Sequence, residues 1–255
     1  MKIFKFIASF LLFLGILVLM FWAATKANDQ NCTGISIVIH SPEENILLSE
    51  SDILNILEQN HTNWEGKIVK DIDLNSVHKI LAQEHYIKSV DKIHFLGSKL
   101  QIEVTLYDIL LAVEPNNGQK FLIDVQGVYL PYSPKVKNDI LLATGILSDT
   151  YQKNETVNQG SYSLYELFCI ASLINEDPFY SKLFRKLYIN EKQEIVLYPT
   201  IGDLSVQFGT MQNAENKLKI LKYMYDEVLP YMEDNKYAQL DIRFKNRIIA
   251  TKSKT

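Results

Sequence analysis

The chain has 255 residues, 47% hydrophobic and 22% charged, and a formal net charge of -4 at pH 7. This composition excludes a disordered polymer, suits one or two domains with a real core, and supplies no general reason to bind nucleic acid.

Residues 6–24, FIASFLLFLGILVLMFWAA, contain no charge. As a helix they would extend roughly 28 Å, about the hydrocarbon thickness of a bilayer, whereas the apolar part of a secretory signal runs roughly 7–15 residues. The stretch therefore predicts a single N-terminal transmembrane helix. Lys2 and Lys5 precede it, and only Lys26, then Asp29, follow closely. The positive-inside rule places the stub 1–5 in the cytoplasm and everything from about Thr25 outside. Phe21 and Trp22 fall at the outer boundary, where amphipathic rings prefer to lie. Cys32 and Cys169 then face an oxidising compartment, where a disulfide is permitted. They belong to different predicted domains, and two separate buried thiols are expected.

Beyond the anchor, GISIVIH reads as a strand, and Ser49 caps a helix with an apolar stripe at Ile53, Leu54, Ile56 and Leu57. A second helix begins near Asp73 and carries Leu74, Val77, Ile80 and Leu81. SVDKIHFLGSKLQIEVTLYD reads as two strands around Gly97-Ser98, with Leu100, Ile102, Val104 and Leu106 on one face. The order β-α-α-β-β predicts a three-stranded sheet with both helices on one face, over residues 32–110.

The turn formers of VEPNNGQ mark the predicted boundary, and a second domain follows over 117–255. FLIDVQGVYLP reads as a hairpin over DVQG, and the stretch Leu141 to Leu147 is compatible with a helix. Ser163 with Glu166 has the form of a capping box ahead of Leu164, Leu167, Phe168, Ala171 and Ile174. RKLYINEKQEIVLYPTIGDLSVQFG gives three strands, with turns near Asn190-Glu191 and Ile201-Gly202-Asp203, and a helix follows around Leu218, Leu221, Tyr225 and Val228. Finally, Leu240 to Phe244 alternate, Lys245-Asn246 makes a turn, and Ile248, Ile249 and Ala250 form a last strand at a sheet edge. The fold class is α+β, the second domain being mostly antiparallel strand with two or three helices.

Candidate chemistry is sparse. His78 and His85, with Glu84 nearby, share a predicted helix face, but two ligands seven apart fall short of a metal site and suit the edge of an amphipathic helix. No G-x-S-x-G elbow, Walker loop or G-x-G-x-x-G occurs, and the Gly66-Lys67 of WEGKIVK lacks the earlier glycine and the following hydroxyl. Asp124 is the acid to examine first, although an Asp two residues before a glycine is ordinary turn chemistry. No catalytic, cofactor or metal constellation assembles. Such a chain is expected to hold partners rather than convert substrates. At its C-terminus Lys236, Arg243, Lys245, Arg247, Lys252 and Lys254 oppose the single acid Asp241, an excess that suits either an acidic partner or a solvated strand face.

Taken together, the stub, the spanning helix and the β-α-α-β-β module from about Cys32 to Asp108 resemble the start of the bacterial cell-division proteins FtsQ/DivIB, whose first exported domain is a POTRA fold. FLIDVQGVYLPYS is similar to the stretch that opens that family's β domain, EIVLYPTIGDLSVQFG to its strand pair with Pro-x-x-Gly, and YAQLDIRFKNRIIA to its terminal hairpin. An Arg-x-Pro element common at the end of the POTRA domain is missing from YDILLAVEPNNG, and the N-terminal stub is shorter than in many relatives.

The resemblance implies a noncatalytic divisome component without cofactor, linked to septal peptidoglycan synthesis through FtsL and FtsB. It implies that an FtsB-like segment docks by strand addition on the terminal strands, with Arg243 and Phe244 at the contact and Arg247, Ile248, Ile249 and Ala250 as the edge. Arg243 would meet a partner carboxylate or stand as an exposed strand charge. Phe244 would be an aromatic anchor or continue the Leu240/Ile242 core face. Two other readings stay open: a POTRA-type assembly protein for outer-membrane clients, and an anchored cell-wall hydrolase.

Overall fold

A computed structural model describes residues 10–21, 31–41, 47–60, 64, 66–116, 118–136, 140–153, 155–200, 204–229, 237–244 and 247–252. The chain divides into two compact units, Met1–Tyr107 and Asp108–Thr255. Residues 10–21 form α1, whose large apolar side chains from Phe10 to Phe21 stand 47–74% exposed. The remainder of the expected span lies outside the described residues, and among these no helix is long and apolar enough to cross a membrane.

The first unit runs β1 (Gly34–His40), α2 (Glu50–Gln59), α3 (Leu74–Ala82), β2 (Ile87–Leu96) and β3 (Lys99–Leu106). Its sheet has the order β1-β3-β2, with β1 parallel and β2 antiparallel to the central β3. Local signals start both helices. Ser49 and Asp52 exchange hydrogen bonds in a capping box, and the Asp73 carboxylate accepts the Asn75 N–H at 2.9 Å. Leu100, Ile102, Val104 and Leu106 face Ile53, Leu57, Val77 and Leu81 in one buried cluster. Because α3 stops at Ala82, His85 lies beyond it, and the shared helix face expected for His78 and His85 does not form.

Among the described residues, the second unit has nine strands: β4 (Ile109–Pro115), β5 (Phe121–Asp124), β6 (Tyr129–Pro131), β7 (Leu141–Gly145), β8 (Phe184–Ile189), β9 (Ile195–Pro199), β10 (Ser205–Gly209), β11 (Tyr237–Asp241) and β12 (Ile249–Lys252). Their order is β12-β11-β10-β9-β8-β7-β4-β5-β6. The pairs β4/β7, β7/β8 and β10/β11 are parallel, and the remaining neighbours are antiparallel. Helices α4 (Tyr162–Glu176), α5 (Pro178–Leu183) and α6 (Ala214–Tyr223) share one buried cluster with alternate residues of the strands, such as Leu111, Phe121, Leu187, Leu197 and Leu240.

Three expectations are corrected here. The turn formers of VEPNNGQ do not separate the units, because they connect β4 to its antiparallel neighbour β5 and the division falls at Tyr107/Asp108. The stretch Leu141 to Leu147 is not helical: it contributes β7, bonded to β4 and β8, and its short apolar run satisfied either period. The cap of α4 is Ser161, whose Oγ accepts the Leu164 N–H at 3.1 Å and donates to Asp149 at 2.7 Å. Ser163 instead donates to Gln193, and Glu166 is buried, accepting the Met211 N–H at 3.1 Å. Asp124 does what turn chemistry asks, its Oδ1 accepting the N–H groups of Gln126 and Val128 at 2.9 and 2.7 Å.

Candidate docking edge

A nine-stranded open sheet must end twice. At one end β6 is three residues long and finishes on Pro131, a residue with no N–H to offer a further strand. At the other end β12 pairs antiparallel with β11 through Asp241↔Ile249, Leu240↔Ala250, Gln239↔Thr251 and Tyr237↔Lys252. All four β12 residues are exposed, Ile249 at 46%. In an antiparallel ladder alternate residues direct their backbone groups away from the partner strand, so β12 presents donors and acceptors outward.

The residues before β12 separate into distinct roles. Ile242 is buried at 2% and extends the ladder, its N–H donating to the Gln207 carbonyl at 3.1 Å, and Ile248 packs against the same core. Phe244 does not continue the Leu240/Ile242 face: it is 40% exposed, with the Arg243 guanidinium 5.9 Å and the Arg247 guanidinium 5.0 Å from its ring centroid. Arg247 is exposed, and among the described residues no carboxylate lies within ion-pair distance of it. Lys245 and Asn246, the expected turn, lie outside the described residues.

Arg243 is engaged inside the chain. Its Nε and Nη2 donate to Asp241 at 2.9 and 2.6 Å, and its Nη1 donates to both oxygens of Glu194 at 3.1 and 2.9 Å. The side chain thereby runs from the end of β11, across β10, to the residue before β9. Gly209 of β10 makes room: a Cβ there would meet Arg243 Cγ at 2.9 Å, and its φ of +82° belongs to the left-handed region that glycine tolerates. The hydrogen bonds from Arg243 hold the Asp241 carboxyl below the ordinary carboxylate range against the opposing effect of burial, and reciprocally keep the guanidinium charged. The donors expected to meet a partner carboxylate are thus held by Asp241 and Glu194.

A cleft of about 520 Å³ adjoins this network, bounded by Glu194, Gly209, Arg243 and Phe244 on one side and by Asn213 and Lys217 of α6 and its cap on the other. The Lys217 ammonium donates to the carbonyls of Phe208 and Thr210 at 2.9 and 2.8 Å and sits 4.7 Å from the Phe208 ring centroid. Burial lowers its pKa, with Glu166 opposing the shift. Among the described residues no group of three or more His, Cys, Asp or Glu is placed to hold a metal ion. Cys32 is buried, Cys169 half-buried, and both are free thiols in separate units.

Sequence reasoning did not single out Glu194, Gly209, Asp241 or Lys217 as members of this site. Gly209 was the one legible signal, a glycine closing an alternating strand. The others become neighbours only through the order of β9, β10 and β11.

Residues 110–251 match the family model described as FtsQ/DivIB, C-terminal related, and residues 30–105 match that of a POTRA-like domain. No curated protein matches the chain.

Proposed function

The chain belongs to the FtsQ/DivIB family, and on that basis we propose that it is a noncatalytic scaffold of the bacterial division machinery, anchored by residues 6–24 and receiving FtsB/FtsL-like partners by strand addition on β12. The single observation that carries the reading is the contrast between the sheet's two ends, one terminating on proline and the other on four exposed residues. Strand addition draws affinity from main-chain hydrogen bonds and specificity from alternate side chains. Ile249 and Ala250 supply the edge, Ile248 ties it to the core, and Phe244 offers a large ring of the kind that anchors interfaces. Arg247, exposed and next to that ring, is the cation positioned for a partner carboxylate, with Arg243 holding the frame behind it.

The proposed setting is the inner membrane at the septum, with the N-terminus cytoplasmic, the two domains that follow the anchor periplasmic, and a link through the partners to septal peptidoglycan synthesis. Copurification of FtsB- and FtsL-like proteins from dividing cells, with the full chain and with a chain ending at Asn246, tests this. Retention of both partners by the shortened chain removes the docking site. A tagged copy spread evenly around the envelope would remove the septal assignment.

A further inference from the structure

We propose that Glu194 and Gly209 are positioning residues for the docking edge: together they let Arg243 staple β11 to the strand beyond its neighbour, so that β12 is presented already ordered. The inference rests on the docking reading above for its functional consequence, and on geometry alone for its structural part.

The need for such a device follows from how β11 and β12 are attached. β11 joins the sheet through a short parallel ladder with β10, in which Ser205↔Gln239, Val206↔Leu240 and Gln207↔Asp241 are the registered pairs. Parallel pairing is slightly weaker per residue than antiparallel pairing, and among the described residues β12 pairs with β11 alone. An edge attached this way frays readily, since opening free energies are lowest where few contacts cross. A partner strand that docks on a fraying edge must also order it, which subtracts from affinity.

Arg243 lies where it can prevent this. Asp241, its first partner, is the residue registered with Ile249 at the start of β12, and the Arg243 backbone N–H also donates to Asp241 Oδ1 at 3.1 Å. The base of the hairpin is thus tied to the guanidinium from both main chain and side chain. From that point Nη1 passes over Gly209 to Glu194, which precedes β9, so β11 is fastened to a strand two places away as well as to its own neighbour. Glu194 is itself held in the β8–β9 turn, its N–H donating to the Asn190 side-chain oxygen at 2.9 Å. The anchor therefore stands in an antiparallel hairpin in the body of the sheet, with β8 and β9 registered from Phe184↔Pro199 to Ile189↔Ile195.

The test uses the full chain in detergent, by hydrogen exchange and by titration with the purified FtsB-like protein of the same cells. In Glu194→Ala the protected amides of residues 249–252 should exchange at least tenfold faster while those of β7 and β8 are unchanged, and Glu194→Gln, which keeps an acceptor oxygen, should recover part of the protection. Partner affinity should fall about tenfold in Glu194→Ala. It should return when β12 is clamped to β11 by the disulfide of Gln239→Cys with Thr251→Cys, directly opposed positions at a Cα separation of about 4.5–5.5 Å. Reduction of that disulfide should abolish the recovery. Unchanged exchange at 249–252 in Glu194→Ala overturns the staple. A clamp that leaves affinity low shows that Glu194 acts on the partner directly and overturns the positioning role. If the unmutated chain does not bind the partner at all, the docking reading falls, and the exchange result still decides the staple.

Discussion

Arg243 grips the carboxylate of Asp241, two residues behind it in the chain, with its Nε 2.9 Å from Oδ1 and its Nη2 2.6 Å from Oδ2. Asp241 is 7% exposed, so losing the arginine would leave a buried carboxylate without its counter-charge. Arg243→Ala should lower the stability of the second unit by about 2 kcal/mol, less than a fully buried pair costs, because the Arg243 side chain is 32% exposed. Urea denaturation followed by circular dichroism measures this. The folded pKa of Asp241 is depressed by Arg243, so its contribution is complete above the unfolded value near 3.8 and disappears as pH falls through the lower folded value. The stability difference between the two proteins should therefore hold at neutral pH and close in stronger acid. A difference that persists undiminished in acid would rule out the ion pair as its source.

Phe244 should behave in the opposite way. At 40% exposure, its replacement by alanine should leave stability within about 0.5 kcal/mol, while a large aromatic at an interface contributes on the order of 1–2 kcal/mol to binding. Calorimetric titration with the FtsB-like partner should report an affinity about tenfold weaker for Phe244→Ala. Equal affinities would remove the ring from the contact.

Gly145 predicts the most severe single substitution in the sheet. Its φ is +112°, and a Cβ there would lie 2.2 Å from the Ile189 carbonyl oxygen of the neighbouring β8. Gly145→Ala forces β7 and β8 apart at the end of their ladder and should cost at least about 3 kcal/mol. Thermal unfolding and soluble yield both read this. A variant as stable as the parent would mean that β7 and β8 separate there at little cost.

Three tyrosines should limit alkaline stability. Burial raises Tyr129, Tyr180 and Tyr225 to about 12, aided at Tyr129 by the charges of Asp149 and Glu155 and at Tyr180 by those of Asp177 and Asp226. A folded pKa above the unfolded value of 10.0 means that these groups contribute fully below pH 10, and that the contribution is lost as pH rises toward 12. Tyrosinate absorbance on raising the pH should show a late group of phenols ionising together with unfolding of the second unit. Simple titration of every tyrosine near 10 would contradict their burial.

Much of the local structure could be read directly. Ser49 and Asp73 start their helices because a short side-chain oxygen satisfies an otherwise orphaned N–H, a relationship confined to three or four residues. The alternation from Leu100 to Leu106 likewise fixed which face of β3 is buried. The sequence of β7 is compatible with a helix because a strand whose neighbours run parallel on both sides shows no clear polar face, and five residues are too few to separate a period of two from one of 3.6. The cap of α4 falls two residues before the expected one because Ser161 and Ser163 are chemically alike, and only the distant Asp149 and Gln193 distinguish their hydroxyls.

For the terminal edge, the alternation in YAQLDIRF was sufficient to place a strand and a further strand after it, since it depends on neighbours in the chain, although β11 ends at Asp241 and not at Phe244, and the expected turn at Lys245-Asn246 lies outside the described residues. It could not decide whether Arg243 faces outward or inward. That depended on Glu194, 49 residues away, and on the missing Cβ of Gly209, which meet the guanidinium only because β9, β10 and β11 lie side by side. Periodicity and capping are short-range and survive in one dimension. The partner of a charge is set by whichever strands the sheet brings into register, and only the folded chain contains that information.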